Sequence, residues 1–150
     1  MSWSRRLCIT MLALCGFLSL VVESALAEDK TVKVEKEWKG GSGEKKDNEA
    51  WRQAPPDMVI TSPKAWERLW KAWQFEKELP TVDFEKDLIL VVACEGPSSI
   101  HIDKLTLSEK GNLRFDWSHT DKGGPGFRYL ILRVSRSGIK TVSGKEILKD

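Results

Sequence analysis

One uninterrupted apolar run constrains the fold more than any other segment of this chain. Residues 88–93 read Leu-Ile-Leu-Val-Val-Ala, bounded by Asp87 before them and by Gly96 and Pro97 after them. A strand with one solvated face alternates apolar and polar residues, whereas a run without alternation is typical of a strand covered on both faces. The sequence therefore predicts a central strand here.

The clearest helix signal precedes this run. Ser62 is a good N-cap because its hydroxyl can accept an amide of the first turn, and Pro63 suits the first helical position. One face of the predicted helix then carries bulky apolar residues at helical spacing, namely Trp66, Leu69, Trp70 and Trp73. We expect the helix to end within residues 74–77, before Pro80.

Alternating residues after the run predict further strands. Residues 100–107 and 113–117 flank a turn at residues 109–112 and predict a β-hairpin. The alternation slips by one residue at Asp103, as a β-bulge would cause. Residues 127–134 predict another strand. We expect an α+β domain, with one amphipathic helix packed on a mostly antiparallel β-sheet or sandwich of about five to six strands.

The N-terminus has the parts of an export signal. Two arginines precede the uncharged apolar residues 7–22, and the small residues Ala25 and Ala27 place a cleavage site before Glu28. The apolar stretch has about 16 residues, fewer than the roughly 20 that span a bilayer. We therefore expect residues 1–27 to be a cleaved signal peptide, with no membrane span after its removal and function in the periplasm or outside the cell.

Two other fates of this leader stay open. An uncleaved leader would anchor the protein in the membrane. A lipoprotein would carry its lipid on Cys15, but Leu14 stands where a lipobox has a small residue. After cleavage only Cys94 remains, which excludes an internal disulfide and leaves stability to the core.

The region between the signal and the helix is predicted to hold a linker. Residues 31–38 alternate and form either a first strand or an ordered tail. Residues 39–49 contain only glycine, serine, asparagine and charged residues, a composition typical of a flexible linker. We therefore expect residues 28–49 to be an N-terminal segment and linker, and residues 50–150 to form the compact domain.

Four segments carry a family resemblance: residues 59–62, the helix around Trp66 and Trp70, residues 79–84 and the run 88–93. Together they resemble the C-terminal domain of the protease-complex subunit PrcB family over about residues 58–134. The sharpest element is Pro80-x-Val-Asp-Phe after an amphipathic helix. The family's Gly-Gly pair with an aromatic residue is not matched, since residues 95–100 keep one glycine and no aromatic residue.

The resemblance implies a bacterial, exported accessory domain without catalytic residues. The eponymous family member is associated with a secreted protease complex, so the implied partner is a secreted protease or another envelope component. The near-balance of 24 basic and 22 acidic residues gives no electrostatic case for nucleic acid as a partner, so none is expected.

Candidate catalytic groups are sparse. Serine hydrolysis would need Ser98 or Ser99 with His101 and Asp103, but strand neighbours two apart rarely reach a triad geometry, and no nucleophile-elbow motif occurs. We predict no catalytic residues and no cofactor.

A metal site is the next class of chemistry to consider. Asp116, His119 and Asp121 cluster in the sequence, yet their spacing matches no known ligand signature. We predict that the chain holds no metal.

Two residue groups are candidates for a binding surface. The tryptophan stripe is bulky for a small core, so Trp51 and Trp73 are candidates for an exposed platform that docks a protein or stacks on a sugar. Arg128, Arg133 and Arg136 form either a solvated face or a surface for carboxylates. The leading hypothesis is an accessory protein-binding domain, and the alternative is a carbohydrate-binding module using exposed tryptophans.

Overall fold

A computed structural model describes residues 29–45, 49–73 and 78–147, so the predicted signal peptide lies outside the described residues. Nine strands and one α-helix are present in that part of the chain. In chain order they are β1 Lys30–Thr31, β2 Val34–Ser42, β3 Val59–Ile60, α1 Pro63–Ala72, β4 Asp87–Glu95, β5 Ile100–Leu107, β6 Asn112–His119, β7 Phe127–Ser135, β8 Thr141–Val142 and β9 Lys145–Glu146.

The strands form two sheets. The central sheet has the order β2-β7-β4-β3, and the outer sheet has the order β1-β5-β6-β8-β9. Every neighbouring pair is antiparallel except β6 and β8. The predicted α+β class is confirmed. The strands outnumber the five to six expected, because two-residue strands such as β8 and β9 are too short to show an alternation.

The central sheet is covered on both faces, and β4 carries most of this burial. Leu88, Leu90 and Val92 point toward the outer sheet, where they share a core with Leu113 and Phe115. The residues between them point to the other face and join a second core beneath α1, which includes Ile89, Val91, Ile131, Trp66, Leu69 and Trp70. The prediction of a strand buried on both faces is confirmed.

The helix begins as the sequence predicts. The Ser62 hydroxyl accepts a hydrogen bond from the Ala65 amide at 3.3 Å, and Pro63 is the first helical residue. Trp66, only 2% exposed, donates from its indole nitrogen to the Pro80 carbonyl at 3.0 Å. The helix ends at Ala72, and the predicted end within residues 74–77 lies outside the described residues.

The predicted hairpin is also present. Strands β5 and β6 pair from Ile100 opposite His119 to Leu107 opposite Leu113. The register shifts between Ile102 and Lys104, which confirms the predicted bulge. The bulge returns Leu105 to the buried side of the outer sheet.

The predicted linker requires a correction. Residues 39–42 belong to β2, which pairs with β7 from Val34 opposite Val134 to Ser42 opposite Phe127. The folded unit therefore includes residues before the expected boundary at 50. Glycine is used here for close packing: a Cβ atom on Gly40 would lie 2.7 Å from the Tyr129 hydroxyl, and one on Gly41 would lie 2.0 Å from the Phe127 carbonyl oxygen.

We expect Gly41→Ala to lower the free energy of unfolding by about 2–4 kcal/mol, because the new methyl group meets backbone and φ at this position is positive. Gly43→Ala is the matched control. Nothing lies within 4 Å of its new methyl group, so we expect a change within about 0.5 kcal/mol. Urea unfolding of both variants checks this. Equal stability of the two variants would mean that residues 39–42 are a linker after all.

Candidate functional site

A cleft opens between the two sheets on the side where β2 lies. Its volume is about 540 Å³. The central sheet contributes Glu37, Lys39 and Gly40 from β2 and residues 128–130 from β7, and the outer sheet and its approach contribute residues 97–102. The walls therefore mix charged side chains with apolar ones such as Ile100, Ile102 and Leu130.

Two strand edges flank this cleft without a described partner. β2 is the last strand of the central sheet and pairs only with β7. β1 covers β5 only at Thr106 and Leu107, and the Val32 amide adds one bond to the Leu105 carbonyl. Among the described residues, nothing pairs with residues 100–103 on that side. Such edges present backbone donors and acceptors that another extended chain can use.

Arg128 brings the least compensated charge to the cleft. Its Nη1 atom donates to the backbone carbonyls of Ser42 and Phe127, both at 3.0 Å. Among residues 29–45, 49–73 and 78–147, no acidic side chain lies within ion-pair distance of it. Glu37 and Lys39 pair with each other at 3.3 Å. The Nε and Nη2 groups of Arg128 therefore keep donors to offer a ligand.

Three side chains with nucleophilic atoms lie near the cleft, and each is buried or engaged in the fold. Cys94 stands opposite Arg128 in the β4–β7 register. Burial raises the pKa of the Cys94 thiol, although the Arg128 charge partly opposes this, so the thiolate is scarce at neutral pH. Burial likewise raises the pKa of Tyr129. The buried Ser98 hydroxyl accepts a hydrogen bond from the Lys122 amide at 3.2 Å.

The residues considered for hydrolysis or metal binding have structural contacts. Asp103 accepts a hydrogen bond from the Ser118 hydroxyl at 2.9 Å, and Asp116 accepts one from Arg114 Nε at 2.7 Å. The His119 ring stacks on Trp117 with ring centroids 5.7 Å apart. In the described part of the chain, no three His, Cys, Asp or Glu side chains come together in a group able to hold a metal ion.

Trp73 requires a correction, because the structure places it in the core and not on an exposed platform. It is 8% exposed, and its indole nitrogen donates to the Ala50 carbonyl at 2.8 Å. Its ring stacks on Tyr129, with centroids 5.2 Å apart, and also contacts Phe127. The tryptophan stripe fits into the core because the helix packs on a whole face of the central sheet. Strand β2 widens this face, and its Trp38 ring contacts Trp66.

Trp51 is half-buried at the rim of the same core. The Arg52 guanidinium lies 5.3 Å above its ring, within the range of a cation–π contact. Its indole nitrogen is buried and has no hydrogen-bond partner among the described residues.

The three arginines do not form one surface, which corrects the second candidate. Arg128 and Arg133 lie on opposite faces of β7, since their positions differ by an odd number. Arg133 Nε lies 3.3 Å from a Glu35 carboxylate oxygen and 3.6 Å from one of Asp87. Arg136 donates to the Phe84 carbonyl at 3.0 Å. Only Arg128 reaches the cleft.

Sequence reasoning missed most of the cleft. Glu37 and Lys39 were not predicted as site residues, because the composition around them is typical of an N-terminal tail or linker. Residues 97–102 were not predicted either, because they carry no recognisable motif. The one available signal was the strand alternation of residues 31–38, which runs straight into the pair Gly40 and Gly41.

Comparisons of the chain with protein-family models, with curated proteins and with solved structures find no match. Among the residues that the structure describes, no helix combines the length and the apolar character of a membrane span.

We expect Trp73→Phe to lower the free energy of unfolding by about 1–3 kcal/mol, because it removes the hydrogen bond from the indole nitrogen to the Ala50 carbonyl and part of a buried ring. Trp51→Phe makes the same chemical change where the lost N–H has no partner among the described residues. Trp51→Phe removes a donor that makes no hydrogen bond there, so we expect it to lower the free energy of unfolding clearly less than Trp73→Phe does. Urea unfolding of the two variants measures the difference, and an equal or larger loss at Trp51 would refute this assignment.

Proposed function

We propose that this chain is an exported, non-catalytic accessory domain of the bacterial cell envelope that binds another protein in the cleft. The observation that supports the proposal is the position, on either side of that cleft, of two strand edges with which no described residue pairs. An extended segment of a partner can add to such an edge through main-chain hydrogen bonds, while side-chain pockets supply specificity.

The charges of β2 favour a chosen partner over self-association. Glu35, Lys36, Glu37 and Lys39 are all exposed along this edge strand. Charged residues on an edge oppose indiscriminate pairing, which is how native proteins avoid aggregation through open sheets. A partner strand whose charges complement this pattern would meet less electrostatic repulsion on pairing with β2 than a strand of arbitrary sequence would.

The compartment and the kind of partner rest on the sequence. The leader at residues 1–27 supports export to the periplasm or the medium. The resemblance to the PrcB family supports a secreted protease or another envelope component as the partner. The contacts of Ser98, Asp103 and Cys94 support a binding role, since each of these groups is engaged or buried in the fold.

The carbohydrate-binding alternative loses its main support in the tryptophan stripe. Trp66, Trp70 and Trp73 are each at most 8% exposed and offer no ring face to a sugar. Trp51 is half-buried, and its ring already carries the Arg52 guanidinium. No flat group of exposed tryptophans is left among the described residues.

A photo-crosslinking side chain placed at Lys39 should capture a discrete partner when the full chain is produced in a bacterium that exports it. Lys39 lines the cleft, and its side chain is 78% exposed. The matched control carries the crosslinker at Lys110, an exposed position in the β5–β6 turn. We expect a distinct adduct at position 39 only, identified by mass spectrometry of the periplasmic and secreted fractions.

Two outcomes would count against the proposal. The same adducts at both positions would indicate unspecific contact, and no adduct at position 39 in any fraction would remove the cleft as a binding site. Recovery of uncleaved protein from the cytosol alone would overturn the assigned compartment.

A further inference from the structure

We propose that the cleft selects an extended protein segment bearing an acidic side chain, whose carboxylate is bound by Arg128. The inference rests on the proposed function, because it names the chemistry of the partner at the same cleft. Three observations carry it: the uncompensated charge of Arg128, the restraint on its side chain and the open edges that hold an extended chain nearby.

Arg128 differs from Arg133, the other half-buried arginine of β7, in having no carboxylate partner among the described residues. Arg133 lies within 4 Å of both Glu35 and Asp87, whereas Arg128 has no acidic side chain at that distance within the described residues. A partly desolvated guanidinium without a carboxylate is unfavourable compared with a paired one. A ligand carboxylate would supply the missing partner.

The side chain of Arg128 is preorganised for this role. Its Nη1 atom is fixed by two backbone carbonyls, from the end of β2 and from its own strand. Nε and Nη2 remain to bind a carboxylate, and a guanidinium offers its donors in a planar arrangement that matches two carboxylate oxygens. Because the guanidinium is already fixed, binding a carboxylate costs less side-chain entropy here than at an arginine that is free to rotate.

The surroundings favour one acidic group on an otherwise neutral segment. Glu37 lies in the same cleft and would repel a strongly acidic chain, but its ion pair with Lys39 offsets this repulsion. The remaining walls include Ile100, Ile102 and Leu130, which suit apolar or β-branched neighbours of the acidic residue. The free edges of β2 and residues 100–103 supply the backbone contacts.

The test uses the mature chain and a short fluorescent peptide that alternates threonine and valine around a central glutamate. Both peptide ends are blocked, so that the side chain is the only carboxylate. Fluorescence anisotropy should show saturable binding, and amide NMR shifts should map to β2, to residues 97–102 and to Arg128. The same peptide with glutamine at the centre should bind at least about tenfold more weakly, since a charge-assisted pair is lost.

Variants of the protein distinguish a specific contact from general charge. Arg128→Gln should weaken binding of the glutamate peptide to the level of the glutamine peptide, and Arg128→Lys should recover part of the loss. Arg114→Gln is the matched control, because Arg114 lies in β6 and does not line the cleft, and this variant should bind the peptide as the unchanged protein does. Because Arg128 also holds the end of β2, Glu37→Gln is the second test. It removes the repelling charge at an exposed position and should strengthen binding, whereas Glu109→Gln in the β5–β6 turn should not.

Equal binding of the glutamate and glutamine peptides would overturn the inference, as would a Glu37→Gln variant that matches Glu109→Gln. Preference for a glutamine peptide with a free carboxyl terminus over the blocked glutamate peptide would also overturn it, because the recognised group would then be a chain end. A crosslinked partner at position 39 together with no glutamate preference would leave the proposed function standing while this inference fails.

Discussion

The pairing of β4 with β7 is the constraint on which the rest of this protein depends. The two strands stay in register from Asp87 opposite Ser135 to Glu95 opposite Phe127, and both of their faces are buried. A strand pair of this kind needs a layer on each side. The outer sheet supplies one layer and α1 the other, so a single pair of strands connects both cores.

The same arrangement explains why a cleft exists at one side of the molecule. β2 extends the central sheet beyond β7, and its residues Trp38 and Gly40 complete the helix-side core. Within the described residues, the outer sheet ends on this side at β1, which has only two residues and leaves residues 100–103 of β5 uncovered. The cleft lies between this edge and β2, and Arg128 lines it. This cleft is the binding site that we propose.

Much of the fold could be predicted from local chemistry. The cap at Ser62, the stripe beginning at Trp66 and the unbroken apolar run each report a physical requirement that acts within a few residues. The bulge near Asp103 was readable because it shifts the alternation itself. Features that depend on distant partners could not be read, and the division of the strands into two sheets is the main example.

The errors at the candidate site have the same origin. Gly40 and Gly41 look like linker residues, yet they are required where β2 passes close to Tyr129 and Phe127. Trp73 looked too bulky for a small core, but a helix over a four-stranded sheet has the area to cover it. Arg128 gave no signal in the sequence that set it apart from Arg133. Only the register of β7 separates an arginine that lies between acidic groups from one that faces the cleft.

Native-state amide hydrogen exchange tests the central position of the β4–β7 pair most directly. If both faces of this pair are buried, the amides of Leu90, Val92 and Leu132, which point across the pair, should exchange only through global unfolding, with the largest opening free energy among the described strands. Amides in the two-residue strands β1 and β9 should exchange much faster. Exchange of the β4 amides as fast as those of β1 and β9 would contradict the account.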